Sequence, residues 1–251
     1  MEAGERMYGS NGKENFLFPL EIMWLTQGYW SATYSHNLTY AMDFQGAKWD
    51  SNDDVVRMLK CPCYAPFSCH CVARFGSSAP AIVWQSDDVV NFIDGTTGYA
   101  TIQFTHEDNS LSVHHIGDTK TQGDIISHTG TMGSSGDHIH IEAKKGTYTG
   151  FTHTSAGTYR LKGSNPLDDL LGVNDTLIHK GYYVNHNGTR INYNWRKFTD
   201  EPVPPVPPVP TRKQDYSFPW PVVTRKLRDR NFFTFYPFFG ILYSRKELYY
   251  G

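Results

Sequence analysis

The chain has 251 residues, 23 Lys and Arg against 25 Asp and Glu, a formal net charge of -2, 39% apolar content, and 6 Trp, 16 Tyr and 15 Phe. Near-neutral charge argues against a nucleic-acid binder that works through a broad basic surface, and the apolar fraction argues against wholesale disorder. Richness in Gly, Tyr, Thr and Ser, with few Ala, Leu or Glu runs at helical spacing, argues against a helical bundle and predicts a mainly β fold of one large domain, alone or with an appendage.

The first apolar run, Phe16 to Leu25, is interrupted by Pro19 and Glu21 and has no basic lead-in, so no signal peptide is expected. No stretch approaches the roughly 18 apolar residues of a membrane-spanning helix. Up to about residue 200, short apolar segments alternate with Gly, Asn, Asp and Ser turns, as in an antiparallel β domain.

Five segments of this region carry chemical groups. The first contains Tyr34-Ser-His36 and continues through Tyr40-Ala-Met to Asp43. A His and an Asp seven apart share a helix face poorly, but a turn leading into a strand can aim both at one centre. Next, Cys61, Cys63, Cys69 and Cys71 form C-x-C-x5-C-x-C. This spacing is not a common zinc pattern, and it leaves a structural metal, disulfides across a hairpin or reduced buried thiols open, the last being preferred. Tyr99 to His106 reads as an alternating strand that ends in a histidine, and Ile116 to Ile126 as a β element with two turns. The fifth segment, Gly130-Thr-Met-Gly-Ser-Ser-Gly136-Asp-His138-Ile-His140-Ile-Glu142, is the most informative. A side-chain period of 2 sends His138 and His140 to one face and Ile139 and Ile141 to the other. Gly130, Gly133 and Gly136 are expected to form tight turns that leave the backbone accessible.

Pro202 to Pro210 reads PVPPVPPVP, a polyproline II spacer of roughly 3 Å per residue. Residues 211–251 then hold 12 aromatics and eight Lys and Arg against three Asp and Glu, a net charge of +5 that leaves -7 on the remainder.

A catalytic zinc takes three protein ligands and leaves a fourth position open. It lowers the pKa of bound water from 15.7 toward about 7 and polarises a carbonyl. His36, Asp43 and one of His138 and His140 would make a His2Asp set, with the other histidine and one from the Tyr99 strand free for proton transfer or for holding an oxyanion.

The His and Asp near the start, the strand-borne His, the Gly117-Asp118 to Gly123 element and the closing Gly-rich H-x-H-x-E, in that order, resemble the M23 (LytM/lysostaphin-type) zinc peptidases over roughly residues 16 to 145. The resemblance implies a compact antiparallel β fold with an open groove, one catalytic Zn2+ and cleavage of peptide bonds in bacterial peptidoglycan. Carried over by position, His36, Asp43 and His140 are the metal ligands, and His138 is the catalytic histidine beside the metal. His106 is the second catalytic histidine, preferred over His114 and His115. Three features depart from the family pattern: the His36 to Asp43 interval is three residues longer than H-x-x-x-D, Asp137 stands where Pro is common, and Ile139 and Ile141 replace Leu and Phe. Glu142 is either a strand-end charge or a partner that orients a ligating His. The cysteine segment looks like the family's scaffold hairpin. His70, His128, His153, His179 and His186 are read as surface or structural residues.

Composition and the resemblance together divide the chain into an M23-like peptidase domain at 1–175, a β-rich extension at 176–201, the linker at 202–210 and the basic aromatic tail at 211–251. Phe18-Pro-Leu-Glu, Thr26-Gln-Gly-Tyr and Tyr40-Ala-Met-Asp are similar to M23-type domains of phage tail-tip or tail-knob proteins. That implies a virion-borne lysin at the tail tip, with residues 202–251 docking onto other tail proteins, no sequence readout of nucleic acid and no transmembrane segment. The alternatives are a structural tail-tip or binding protein whose fold no longer cleaves, and a host-lysis endolysin. The loops around 28–35 and 145–160 are expected to set which bond is cut.

Overall fold

Short runs of β-branched and aromatic residues, punctuated by Gly, Asp and Asn, build a structure made almost entirely of antiparallel strands, as the composition predicts. The computed structural model describes residues 1–29, 35–37, 39–76, 79–108, 110–111, 113–153, 159–174, 182–184, 190–192 and 195–198. The linker at 202–210, the tail at 211–251, Tyr34, His179, His186 and much of the extension at 176–201 lie outside the described residues. Those described belong to one unit, Met1–Pro205.

In chain order the strands are β1 (Leu25–Gln27), β2 (Ala41–Phe44), β3 (Ala47–Trp49), β4 (Val55–Arg57), β5 (Pro62–Tyr64), β6 (Cys69–Phe75), β7 (Ala81–Ser86), β8 (Val90–Asn91) and β9 (Thr97–Gly98). There follow β10 (Ala100–Thr105), β11 (Thr119–Lys120), β12 (Ile125–His128), β13 (Ile139–Lys145), β14 (Phe151–His153), β15 (Tyr159–Leu161), β16 (Tyr182–Val184) and β17 (Arg190–Asn192). Among the described residues the helical content is a single 3-10 turn, Leu167–Asp169. The main sheet has seven strands in the order β1-β2-β13-β10-β7-β6-β11, every neighbour antiparallel.

Alternation along these strands separates an apolar face from a polar one. Met42, Phe44, Ile82, Trp84, Ile102, Phe104, Ile139 and Ile141 are completely buried on one side, under Phe16, Phe18, Leu20, Phe67 and Leu167. Phe16 meets Phe67 edge-on at 4.7 Å and Phe18 meets Phe44 at 4.9 Å. Each such phenylalanine contributes about 2–3 kcal/mol by leaving water. The apolar run from Phe16 to Leu25 is thus the lid of the core.

The opposite face is polar and largely buried as well. Thr101 and Gln103 on β10 are fully buried and sit opposite Lys144 and Glu142 on β13, while Leu161 of β15 packs over the neighbouring Ala73 and Val83. The β13 register then decides the site, because His140 lies opposite Asp43 on one side and Thr105 on the other.

All four cysteines are buried free thiols. Burial pushes Cys61 and Cys71 up to about 11, and Cys63 and Cys69 upward too, so they pack in the core as protonated thiols.

Candidate metal centre

His140 and Asp43 face each other because β13 and β2 pair in register. His36 joins them from a turn, so the three extra residues of the His36 to Asp43 interval do not separate the pair. His36 Nε2 lies 3.0 Å and His140 Nδ1 2.9 Å from the same oxygen, Asp43 Oδ1. One ligand atom from each residue falls within 4.8 Å of the others. All three residues are buried, His36 completely.

The far nitrogen of each imidazole is already committed. His36 Nδ1–H donates to the carbonyl of Gly28 at 2.8 Å, and His140 Nε2–H donates to Glu142 Oε1 at 3.1 Å. With one proton on each neutral ring, assigned from these partners, two nitrogen lone pairs and a carboxylate oxygen converge on one point. That arrangement is repulsive unless a cation or a proton lies between them, and a His2Asp donor set suits zinc. In the protein alone the cluster binds a proton tightly. Burial opposes charge on His140, but hydrogen bonds to Asp43 and Glu142 outweigh it and raise the ring to about 9. Burial likewise works against the Asp43 carboxylate, yet His36 and His140 hold it well below the usual carboxylate range.

The cluster opens on a groove of about 690 Å3 whose lining includes Asp43, His106, His138, His140, Arg57 and Tyr159. His138 Nδ1–H donates to Gly136 O at 2.8 Å, which turns Nε2 toward Asp43 Oδ2, 3.6 Å away. His106 Nδ1–H donates to Met132 O at 2.7 Å, and its ring centroid stands 4.8 Å from that of His138. Each histidine therefore presents an unprotonated Nε2. Burial, followed by the nearby His140, pushes His106 down to about 4, so it stays neutral in the physiological range with its Nε2 lone pair free. His106 has a φ of 72°, a strained conformation for a non-glycine residue that turns the chain off the end of β10.

His114 and His115 do not line this groove. The His115 side chain is 75% exposed, 3.7 Å from Asp118, and His114 is buried edge-on to Trp84, 3.8 Å from Glu107. His70 pairs with Asp87 at 2.7 Å on the surface, and His153 is exposed beside Phe151.

The glycine loop departs in part from expectation. Gly133 does take a positive φ of 75°, whereas Gly130 is required by close approach, since a Cβ there would lie 2.5 Å from Asp108 N and 2.6 Å from His106 O. Gly136 has open space and no such constraint. Asp137 is the loop's anchor, a role its sequence position did not announce. Its Oδ1 accepts the Thr129 hydroxyl at 2.6 Å, its Oδ2 accepts Lys60 N–H at 3.1 Å, and its carbonyl accepts from Arg57 at 3.3 Å. Glu142 is a partner that orients His140 and not a strand-end charge, since it is completely buried. The backbone acceptors Gly28, Met132 and Gly136 leave no signal in side-chain identity.

Fold and side chains together define an antiparallel β protein with a buried His2Asp cluster suited to a metal, at the floor of an open groove. No protein-family model matches the chain, and no curated protein matches it. Among solved structures it is similar to LytU, at 18% identity over 51% of this chain and 77% of that one, with a TM-score of 0.35. It is also similar to the catalytic domain of the antimicrobial peptidase lysostaphin from Staphylococcus simulans, at 15% identity over 58% and 83% of the two chains and a TM-score of 0.31. A third likeness is to pseudoalterin, an M23 metalloprotease from the deep sea, at 15% identity over 73% and 97% and a TM-score of 0.36. Likenesses at these scores carry no functional weight, and the side-chain geometry stands on its own.

Proposed function

We propose that the chain is a zinc-dependent endopeptidase acting on the peptide part of bacterial peptidoglycan. The observation that carries this reading is the convergence of His36 Nε2, His140 Nδ1 and Asp43 Oδ1 on one point beneath a groove that also holds two further imidazoles. His36, Asp43 and His140 would hold the ion. When bound there, zinc supplies Lewis acidity that polarises a peptide carbonyl and makes water acidic enough to attack near neutral pH.

The chain's own residues supply the rest. His106, kept neutral by burial, takes a proton from the attacking water through Nε2. That proton then passes from His106 to the departing amine, while His138, aimed by the Gly136 carbonyl, accepts a hydrogen bond from the attacking water through Nε2 and holds it in line. The groove accepts an extended peptide, and its Thr, Ser and Gln side chains, with the backbone of residues 133–136, offer hydrogen bonds to that backbone.

For the setting we propose a virion-borne lysin at a phage tail tip that opens the wall during genome delivery. Support comes from a Pro-rich spacer leading to a basic aromatic tail suited to docking. Among the described residues no helix is long and apolar enough to cross a membrane.

Metal content and turbidity loss of purified cell walls, compared between wild type and the variants His140→Ala and Asp43→Ala, test the reading. Zinc at one ion per chain and wall clearance, both lost in the variants, are expected. A wild type that binds no zinc and leaves walls intact overturns it. Immunodetection in purified particles tests the tail-tip setting, and absence from them favours the endolysin.

A further inference from the structure

Arg160, on β15, is 5% exposed, and its Nε, Nη1 and Nη2 have no hydrogen-bond partner among the described residues. A buried guanidinium without acceptors is costly and persists only where its charge is used. The nearest anion is Glu142, whose Oε1 lies 4.0 Å from Arg160 Nη1. Glu142 is completely buried and bound on every side: Oε1 accepts His140 Nε2–H at 3.1 Å, and Oε2 accepts Leu161 N–H at 3.1 Å and the Thr39 hydroxyl at 3.4 Å. Leu161 is the residue after Arg160, so one strand delivers both an N–H and a positive charge to the same carboxylate.

Glu142 in turn decides how His140 stands. Its hold on Nε2–H leaves Nδ1 facing Asp43 Oδ1 at 2.9 Å. The three hydrogen bonds give Glu142 its place, and the Arg160 charge favours the ionised carboxylate that accepts them, while the Lys144 ammonium in the same layer is bound to Thr149 at 2.9 Å.

We propose that Arg160 is a positioning residue for the metal centre: through its charge it fixes the Glu142 carboxylate, and Glu142 fixes the His140 ring with Nδ1 toward the metal. Arg160 lies beyond the segment whose motifs resemble the peptidase family, on a strand that contributes no ligand. The inference rests on the metal-site reading, and the experiment separates the two.

Zinc affinity is measured by chelator competition at one pH for wild type, Arg160→Met, Arg160→Lys, Glu142→Gln and the double variant Glu142→Gln/Arg160→Met. Ring 15N shifts of His140 in the zinc-loaded proteins report which nitrogen ligates. Arg160→Met is expected to weaken zinc about 10–100-fold and to mix the His140 ring orientation, with Arg160→Lys restoring part of the loss. The double variant is expected to bind no more weakly than Glu142→Gln alone, because Arg160 acts through Glu142. Wild-type affinity and a wild-type His140 signature in folded Arg160→Met overturn the proposal, as do losses that multiply in the double variant. Should Arg160→Met fail to fold, the double variant, which removes both buried charges, is compared with Glu142→Gln, and any further loss of zinc again overturns it. If wild type itself binds no zinc, it is the metal-site reading that falls.

Discussion

The Nδ1–H of His106 donates to the carbonyl of Met132 at 2.7 Å, tying the residue that ends β10 to the loop that carries His138. The two groove histidines are thereby held by one piece of backbone. Gly130, at the base of that loop, lies against the carbonyl of His106.

His106→Ala is expected to keep its zinc and lose about 10^2- to 10^4-fold in turnover, while His115→Ala, at a largely exposed position, changes neither. Because His106 holds a φ of 72°, His106→Gly should be about 1 kcal/mol more stable than His106→Ala, since both lose the hydrogen bond to Met132 and only glycine relieves the strain. Turnover on a wall-peptide substrate, metal analysis and melting curves decide between this assignment and one in which His115 is the functional group.

Gly130→Ala should destabilise the protein by about 1–3 kcal/mol, because the new methyl meets backbone atoms of Glu107 and Asp108 as well as His106 and no flexible side chain can give way. Gly136→Ala, where a Cβ meets nothing within 4 Å, should cost only a few tenths. Equal urea midpoints for the two variants would contradict the role given to close approach.

Asp137→Ala leaves Thr129 and the Lys60 N–H without their buried acceptor and loosens the loop next to His138. We expect a loss of about 1–3 kcal/mol in stability and a larger fall in kcat than in zinc occupancy, measured by melting and by metal titration. A variant with unchanged kcat would show that the loop does not need this anchor.

Glu107 gives a pH signature separate from the metal. It is completely buried beside Ser127, and burial raises its carboxyl to about 8 from 4.5, with the Ser127 hydroxyl and the Arg74 charge pulling weakly the other way. A raised carboxyl is protonated in the folded protein while the unfolded chain has already lost its proton. Its contribution is therefore full below pH 4.5 and falls continuously as pH rises to about 8, on the order of 5 kcal/mol in all. Glu107→Gln removes this dependence, so the variant gains on wild type between pH 5 and 8. A stability difference that is the same at both ends of that range would refute the buried neutral carboxyl.

Much of the site is local and hence readable. Ile139 and Ile141 pack while His140 faces away from them because a strand alternates whatever surrounds it, and a His, an Asp and a Gly-rich H-x-H-x-E announce metal chemistry by residue type alone. What residue order could not decide was register and burial, which depend on partners distant in sequence. Asp43 reaches His140 because β2 pairs with β13 across 97 residues, and His106, not His115, enters the groove because β10 lies on the other side of β13 and ends there. The tautomers follow from backbone carbonyls at Gly28, Met132 and Gly136, which every residue type offers alike. Nothing in the sequence singles out Arg160, and only the hairpin of β14 and β15 folding over the polar face places its charge beside Glu142, where low dielectric makes it count.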